Sequence, residues 1–325
     1  MASYTNFIGI DIGKFSFFVA IHGSKTTNEY ENSNSGIKRF IAEYKDKLKT
    51  SLSILETTGG YEARLIKTLY MKKYATHRAN TRKVKSFICS HGNSAKTDKL
   101  DAKALARYGF ERHHLLELYT PPAQNLQDLY ELVSRRRELK QILVAEKNRL
   151  QAPGNNMAQS SGRSLIEHLE GQIEVLTDKI NELISKDQNL RAKKEVLKAL
   201  PGVGDVVASE LLILMPELGS MGGRQAASLS GVAPRSNDSG RYRGYRSVAK
   251  GRNIIKPILF LAAMSARNSN SDLKDFYEQL IARGKKKMVA LTALMRKIVV
   301  RANAKLRDLA AKDVLQEHKE IKIAA

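Results

Sequence analysis

The stretch from Asn6 to Gly23, NFIGIDIGKFSFFVAIHG, constrains the fold more than any other part of the chain. Phe7, Ile8 and Ile10 precede a lone acid, Asp11, and Phe15, Phe17, Phe18, Val19, Ala20 and Ile21 follow Gly13 and Lys14. Two apolar runs broken by a Gly-Lys step read as a strand, a tight turn and a second strand. An acid at the end of a buried strand is costly unless something positive meets it. A turn carboxylate that caps backbone N–H groups is the plain explanation. A metal ligand and a phosphate-loop acid are the others, and the rest of the chain must choose among them.

The next hundred residues alternate. A third strand is expected at Lys25 to Glu31, and Ser35-Gly36 opens a helix with Ile37, Phe40, Ile41, Tyr44 and Leu48 at helical spacing. SLSILETTGG reads as a short strand ending in Glu56 and a glycine turn, YEARLIKTLYMKKY as a helix, ATHRAN as a weak strand and KTDKLDAKALARYG as a further helix. Strands that come first as hairpins and then alternate with helices fit the mixed sheet of the ribonuclease H class better than an all-parallel doubly wound sheet. This α/β domain is expected over residues 1–120.

From 121 to 194 the texture is helical. Ile166, Leu169, Ile173, Leu176, Ile180 and Leu183 form a heptad seam flanked by charge, and Leu126, Leu129, Leu132, Val133, Leu139, Ile142, Leu143 and Leu150 form a similar helix upstream. With QAPGNNMAQSSG between them, the expected product is a helical hairpin or coiled coil, acting as a spacer or in subunit pairing. A third, all-α segment over 195–325 opens with VLKALPGVGDVVASELLI, helix, Gly turn and helix. That pattern resembles the helix-hairpin-helix module, in which backbone amides near Gly202 and Gly204 would face a nucleic-acid phosphate.

Charge names the partner class. Lys and Arg outnumber Asp and Glu by 55 to 33, a formal net charge of +22, which fits a polyanion. From Ser239 to Lys256 there are six cations (Arg241, Arg243, Arg246, Lys250, Arg252, Lys256) and no acid, with Tyr242 and Tyr245 interleaved; from Gln279 to Arg307 there are nine more, Lys285, Lys286 and Lys287 among them, again with no acid. Counterion release from a phosphate backbone rewards single-signed runs, and tyrosines among arginines can stack on unpaired bases. No apolar run is long enough to span a membrane, and a single cysteine, Cys89, excludes an intrachain disulfide framework. A soluble cytoplasmic protein is expected.

Asp11 then acquires companions. Glu56 ends its strand, and Asp98 and Asp101 stand three apart on one helix face. Four carboxylates packed together repel one another unless divalent cations neutralise them, and a set of hard oxygen ligands points to Mg²⁺ or Mn²⁺, two ions bridging a phosphodiester. Taken alone, Asp98 and Asp101 would read as a capped helix start with contacts to Lys99 and Lys103; as part of a quartet in a basic protein they read as ligands.

GIDIGK, LETTGGYE and KTDKLDAKALA, then the heptad helix, LPGVGDVVASELL and GVAPRSNDSGRYRGYRSVAKGRN resemble, in order and over about residues 6–300, the DEDD transposases of bacterial insertion sequences. Pilin-gene inverting recombinases and bridge-RNA-guided recombinases are among that family. The resemblance implies a RuvC-like ribonuclease H fold, a helical transposase domain, and a coiled coil that builds dimers and tetramers. By the same resemblance Asp11, Glu56, Asp98 and Asp101 are catalytic metal ligands and Ser239 is the nucleophile, forming a covalent phosphoserine on DNA, with a structured guide RNA as a further partner and the nucleoid as the place of action. On residues alone Ser239 is a turn-forming serine with no histidine near it in sequence.

Three rivals remain. A sugar-kinase or actin-type ATPase shares the first motif but needs a second Asp-x-Gly loop after an apolar strand, and Asp238-Ser239-Gly240 follows APRSN instead. A junction endonuclease would keep the fold and use water in place of serine. A basic coiled-coil nucleic-acid binder would have no activity at all.

Overall fold

The computed structural model describes residues 4–92, 97–153 and 156–324. The chain divides into two compact units, Met1–Pro122 and Ala123–Ala325.

The first unit is built on a five-stranded mixed sheet in the order β3-β2-β1-β4-β5. Strands β1 (Asn6–Ile12), β2 (Ser16–Ile21) and β3 (Thr27–Glu31) form the expected antiparallel meander; β4 (Ser51–Glu56) and β5 (Thr76–Ala79) join parallel to β1. This order and mixture of directions are consistent with a ribonuclease H-like domain. Alternate side chains of a strand face opposite ways, and both faces of β1 are covered. Ile8, Ile10 and Ile12 share one core cluster with Phe40, Leu65 and Leu69, brought by helices α1 (Asn34–Glu43) and α3 (Ala63–Met71). Phe7 shares the other with Leu52, Ile54, Val84, Phe87 and Leu105, brought by β4, α4 (Thr81–Ser90) and α5 (Asp98–Arg112). A short helix α2 (Lys45–Lys49) leads into β4. Helix α4 was not anticipated: it follows ATHRAN directly, capped by Asn80, whose carboxamide accepts from Arg82 N and Lys83 N.

The close approach of α5 to the sheet has a specific cause. A Cβ built on Gly9 would stand 2.0 Å from the carbonyl oxygen of Ala102 and 2.3 Å from the amide nitrogen of Ala106. One on Gly109 would meet Ile54 Cδ1 at 2.1 Å. Glycine on the strand, two alanines and a glycine on the helix let the two backbones touch, which larger side chains forbid.

In the second unit α6 (Gln124–Gln151) and α7 (Gln159–Lys186) pack along one another as the expected hairpin. Helix α7 begins inside the polar stretch read as a connector, because Gly162 allows Leu150 and Glu146 to sit against it. Leu129, Val133, Ile180 and Ile184 belong to the same core cluster as residues of α9 (Asp205–Leu214), α11 (Ile255–Ala266) and α13 (Lys287–Ala324), so the hairpin and the C-terminal helices share one interior. Helices α8 (Gln188–Lys198), α10 (Gly223–Leu229) and α12 (Asp272–Ala282) complete the unit. Where α9 meets the hairpin, its buried Glu210 accepts from Arg136 Nη2 at 2.8 Å and Arg137 Nη1 at 3.1 Å of α6, which satisfies a charge that would otherwise be expensive there. Among the described residues no helix is long and apolar enough to cross a membrane.

Candidate active site

Strand periodicity brings the four predicted acids together. Phe7, Gly9 and Asp11 lie on the α5-facing side of β1, as Leu52, Ile54 and Glu56 do on β4. The parallel register pairs Ile10 with Leu55, so Asp11 and Glu56 come one step later, at the C-terminal ends of neighbouring strands. Helix α5 crosses this face with Asp98 and Asp101 in its first turn, and Thr97 caps it by accepting from Leu100 N at 3.3 Å. The contact at Gly9 places that turn near the end of β1.

The electrostatics register the convergence. Asp11 is partly buried, and its carboxyl is pushed up to about 7, first by burial and then by the charges of Asp101, Asp98 and Glu56; a backbone hydrogen bond from Ile12 works the other way. Each of the other acids therefore lies within electrostatic reach of Asp11. Among the described residues, however, no three His, Cys, Asp or Glu side chains close on one point as a ready-made ion cage. The donor set is nonetheless of the right kind: hard carboxylate oxygens only, mutually repelling, on a partly open sheet edge. Mg²⁺ is commonly held by one or two carboxylates together with substrate phosphate and water, and such a site needs no all-protein cage. The residues fit a divalent ion that arrives with a phosphate ligand.

Two further residues hold this edge in shape. Glu62 is completely buried; its carboxylate accepts from Thr58 N at 3.2 Å, Thr58 Oγ1 at 3.3 Å and Gly60 N at 3.0 Å, and pairs with Arg78. Burial pushes its carboxyl up, but these donors together hold it below the usual glutamate range. It thereby fixes the loop that follows Glu56, where Gly59 and Gly60 take φ of +70° and +103°. Asn32 ties that loop to the turn after Asp11, its Nδ2 donating to Gly13 O at 3.0 Å and to Tyr61 O at 3.1 Å. In the sequence Glu62 looks like an ordinary first-turn helix acid. Its only signal is its place in TTGGYE, where two successive glycines need something to organise them.

Ser239 stands in a different setting. Residues 234–248 form a two-tier arm: β6 (Pro234–Arg235) pairs with β9 (Ser247–Val248), and beyond them β7 (Asp238–Ser239) pairs with β8 (Tyr242–Arg243). Ser239 is opposite Tyr242 and next to the two-residue turn Gly240-Arg241, with Gly240 at φ +54° as such turns require. Ser239, Arg241, Arg243 and Arg246 are exposed, as is Lys250 beyond the arm. Among the described residues the Ser239 hydroxyl has no hydrogen-bond partner, so no base activates it from within the arm. Arg252 is half-buried and internally engaged, Nη1 donating to Leu214 O and Glu217 Oε2, each at 2.8 Å. Lys285, Lys286 and Lys287 are exposed at the start of α13. Gly202, at φ +81°, packs against α11, where a Cβ would stand 2.3 Å from Ala262 O. Gly204 is the exposed N-cap of α9, whose first-turn Asp205 pairs with Lys194 and Lys198 at 3.1 Å each.

Two family profiles match the chain. A DEDD-type IS110 transposase profile matches residues 8–153, and a profile described as Transposase IS116/IS110/IS902 family matches residues 194–278. The chain is 26% identical over 310 residues to a pilin gene-inverting protein of Moraxella lacunata, covering 93% of this chain and 95% of that protein. It is 27% identical over 311 residues, with the same coverage, to a pilin gene-inverting protein of Moraxella bovis. An uncharacterised 43.6 kDa protein of insertion element IS110 from Streptomyces coelicolor is 32% identical over 115 residues, 35% of this chain and 28% of that protein.

Proposed function

We propose, from the premise that this chain belongs to the IS116/IS110/IS902 family of transposases, that it cuts and rejoins DNA strands by attack of Ser239 on a phosphodiester held at the Asp11 centre. What supports the reading is the placement of Asp11 and Glu56 at the adjacent C-terminal ends of β1 and β4, with the first turn of α5, bearing Asp98 and Asp101, against the same face and within electrostatic reach of Asp11.

Asp11, Glu56, Asp98 and Asp101 would hold Mg²⁺ or Mn²⁺, two ions in the full assembly, which supply charge neutralisation at the phosphate and at the oxygens that attack and leave. The rest is the chain's own work. Glu62 and Asn32 keep the loops bearing the ends of β1 and β4 from spreading when four carboxylates repel. The exposed arm carries Ser239 to the strand, with Arg241 and Arg243 to engage neighbouring phosphates. The Ser239 Oγ forms a bond to phosphorus as the bond to one sugar oxygen breaks; the hydroxyl proton is released and the departing sugar oxygen takes one up. The phosphoserine keeps the bond energy of the strand, so the reverse attack by another sugar hydroxyl rejoins it. Because no base of the arm is hydrogen-bonded to it, the hydroxyl is activated at the acidic centre, in the same subunit or in another of a dimer or tetramer.

The basic face of the second unit, including Arg246, Lys250 and Lys285 to Lys287, is assigned to nucleic-acid backbone, both DNA and a structured guide RNA whose base pairing selects the target in the bacterial nucleoid. RNA that copurifies with the protein should be one element-encoded species; a random cellular mixture would contradict guiding. The catalytic reading is tested by incubating the protein with end-labelled element DNA and Mg²⁺ and resolving the products under denaturing conditions. A labelled band at protein mass is expected, absent for Ser239→Ala and Asp11→Asn. Cut DNA with no protein attached would assign the chain instead as a RuvC-like junction endonuclease using water.

A further inference from the structure

Beside the acidic edge the first unit has a cleft of about 300 Å³ that none of the four acids needs. Its lining comes from the turn after Asp11 (Lys14), the link between β3 and α1 (Asn32), the loop after Glu56 (Gly60, Tyr61) and the start of α3 (Ala63, Arg64). Lys14 and Arg64 are exposed, and neither makes an ion pair among the described residues. Lys14 instead lies over the Phe15 ring, Nζ 5.1 Å from its centroid, and Arg64 Nη1 donates to Asn32 O at 3.3 Å. The Tyr61 ring, part of the cleft wall, is left to solvent at 46% exposure, and Phe15, next to the lining and under Lys14, at 78%.

The walls are rigid. Asn32 bridges Gly13 O and Tyr61 O, its own N–H donates to Phe15 O at 2.8 Å, and the buried Glu62 carboxylate holds Gly60 N. A site built this way loses little conformational freedom when a ligand enters. Two cations and an exposed ring lining one small cleft, with a second exposed ring beside it under Lys14, are the equipment of a single-strand nucleotide site: charge for the phosphate, a π-face for an unstacked base. An acidic peptide would use the cations and leave the rings unexplained. The walls grow from the same two strand ends that carry Asp11 and Glu56.

We infer that this cleft seats one unpaired nucleotide of the DNA strand being cut, adjacent to the reacting phosphate, with Lys14 and Arg64 on its phosphodiester and Tyr61 against its base. The inference rests on the acid cluster being the cutting centre. It adds that the strand enters locally unpaired, and that its register at the acids is set from this side.

The test uses the full-length protein with Tyr61 replaced by the photo-crosslinking residue p-benzoylphenylalanine, and labelled oligonucleotides as single-stranded DNA, duplex DNA and single-stranded RNA of one sequence. Single-stranded DNA should be captured in preference to the duplex. Lys14→Ala combined with Arg64→Gln should lower capture at least ten-fold and reduce the slope of log affinity against log salt by roughly one to one and a half, as two lost single-strand phosphate contacts require. Lys14→Arg should keep capture within two-fold of the parent. Both side chains are exposed, so the melting temperature reports whether the fold is intact. Unchanged capture in the double variant, or capture of RNA in preference to DNA, would overturn the assignment. The covalent-adduct assay separates this reading from the one beneath it: an Asp11-dependent adduct with unchanged capture rejects the cleft alone, and an adduct that ignores Asp11→Asn rejects the centre itself.

Discussion

The acid cluster of the first unit and the serine arm of the second are built in opposite ways. The acids stand where helix and sheet backbones touch, Asp98 and Asp101 in the first turn of α5 and Asp11 and Glu56 on strand ends whose loops are tied by Asn32 and Glu62. Ser239 stands on an exposed arm of short two-residue strands, its hydroxyl without a partner among the described residues. On the proposed reading this contrast is functional: carboxylates that must oppose one another need a scaffold that forbids retreat, and a serine that must meet a phosphate and later release it is served by an exposed arm.

Substitutions at the two places should therefore differ in kind, and the largest effects should be on chemistry. Ser239→Ala should remove covalent adducts below detection, a loss of at least about a thousand-fold, while the protein melts within about 0.5 kcal/mol of the parent. Asp11→Asn should remove adducts equally but change stability. The carboxyl sits well above its unfolded value of 3.8, so its contribution favours folding below that pH and is lost as pH rises through about 7. Metal-free Asp11→Asn should be more stable than the parent above pH 7, by roughly 1–2 kcal/mol after allowance for partial exposure, with no gain at pH 4. An equal gain at both pH values would mean that the acids do not crowd Asp11. By the same sign, divalent ions compete with that proton, and their apparent affinity should fall as pH drops below about 7.

Structural effects come next. Gly9→Ala forces a Cβ into the backbone of α5 and should cost about 3 kcal/mol, with adduct formation lost in proportion as the first turn of α5 is displaced. Gly240→Ala, with open space around its Cβ but a positive φ, should cost about 1 kcal/mol and act only on the arm. Calorimetric melting of the two variants checks the contrast; equal losses would erase it. Glu62→Gln should cost roughly 1–3 kcal/mol, because Arg78 loses its charged partner and the loop amides their carboxylate, and it should slow cutting while leaving DNA affinity within two-fold.

The sequence disclosed the sheet-borne half better than the exposed arm. Ile8, Ile10 and Ile12 alternate with Phe7, Gly9 and Asp11, and that period alone places Asp11 on the face where α5 arrives with Asp98 and Asp101. Helix α4 was invisible because it buries only Val84 and Phe87 in a basic stretch that reads as loop. The arm was invisible because strands of two residues have no period to detect. Gly202 reads as part of a phosphate cradle, and the structure adds a second demand on it, a close contact with the backbone of α11; a positive φ and a close contact leave the same mark on a sequence. Glu62 escaped because burial of a charge depends on the loop that closes over it.

The central claim is that the acid quartet takes up divalent ions together with a DNA phosphate. The most direct measurement is the affinity of the full-length protein for single-stranded DNA as Mg²⁺ or Mn²⁺ is titrated, compared with Asp11→Asn. Affinity should rise at least ten-fold with metal in the parent and stay flat in the variant, which should bind more tightly than the parent before any metal is added. An identical metal response in the two proteins would contradict the account.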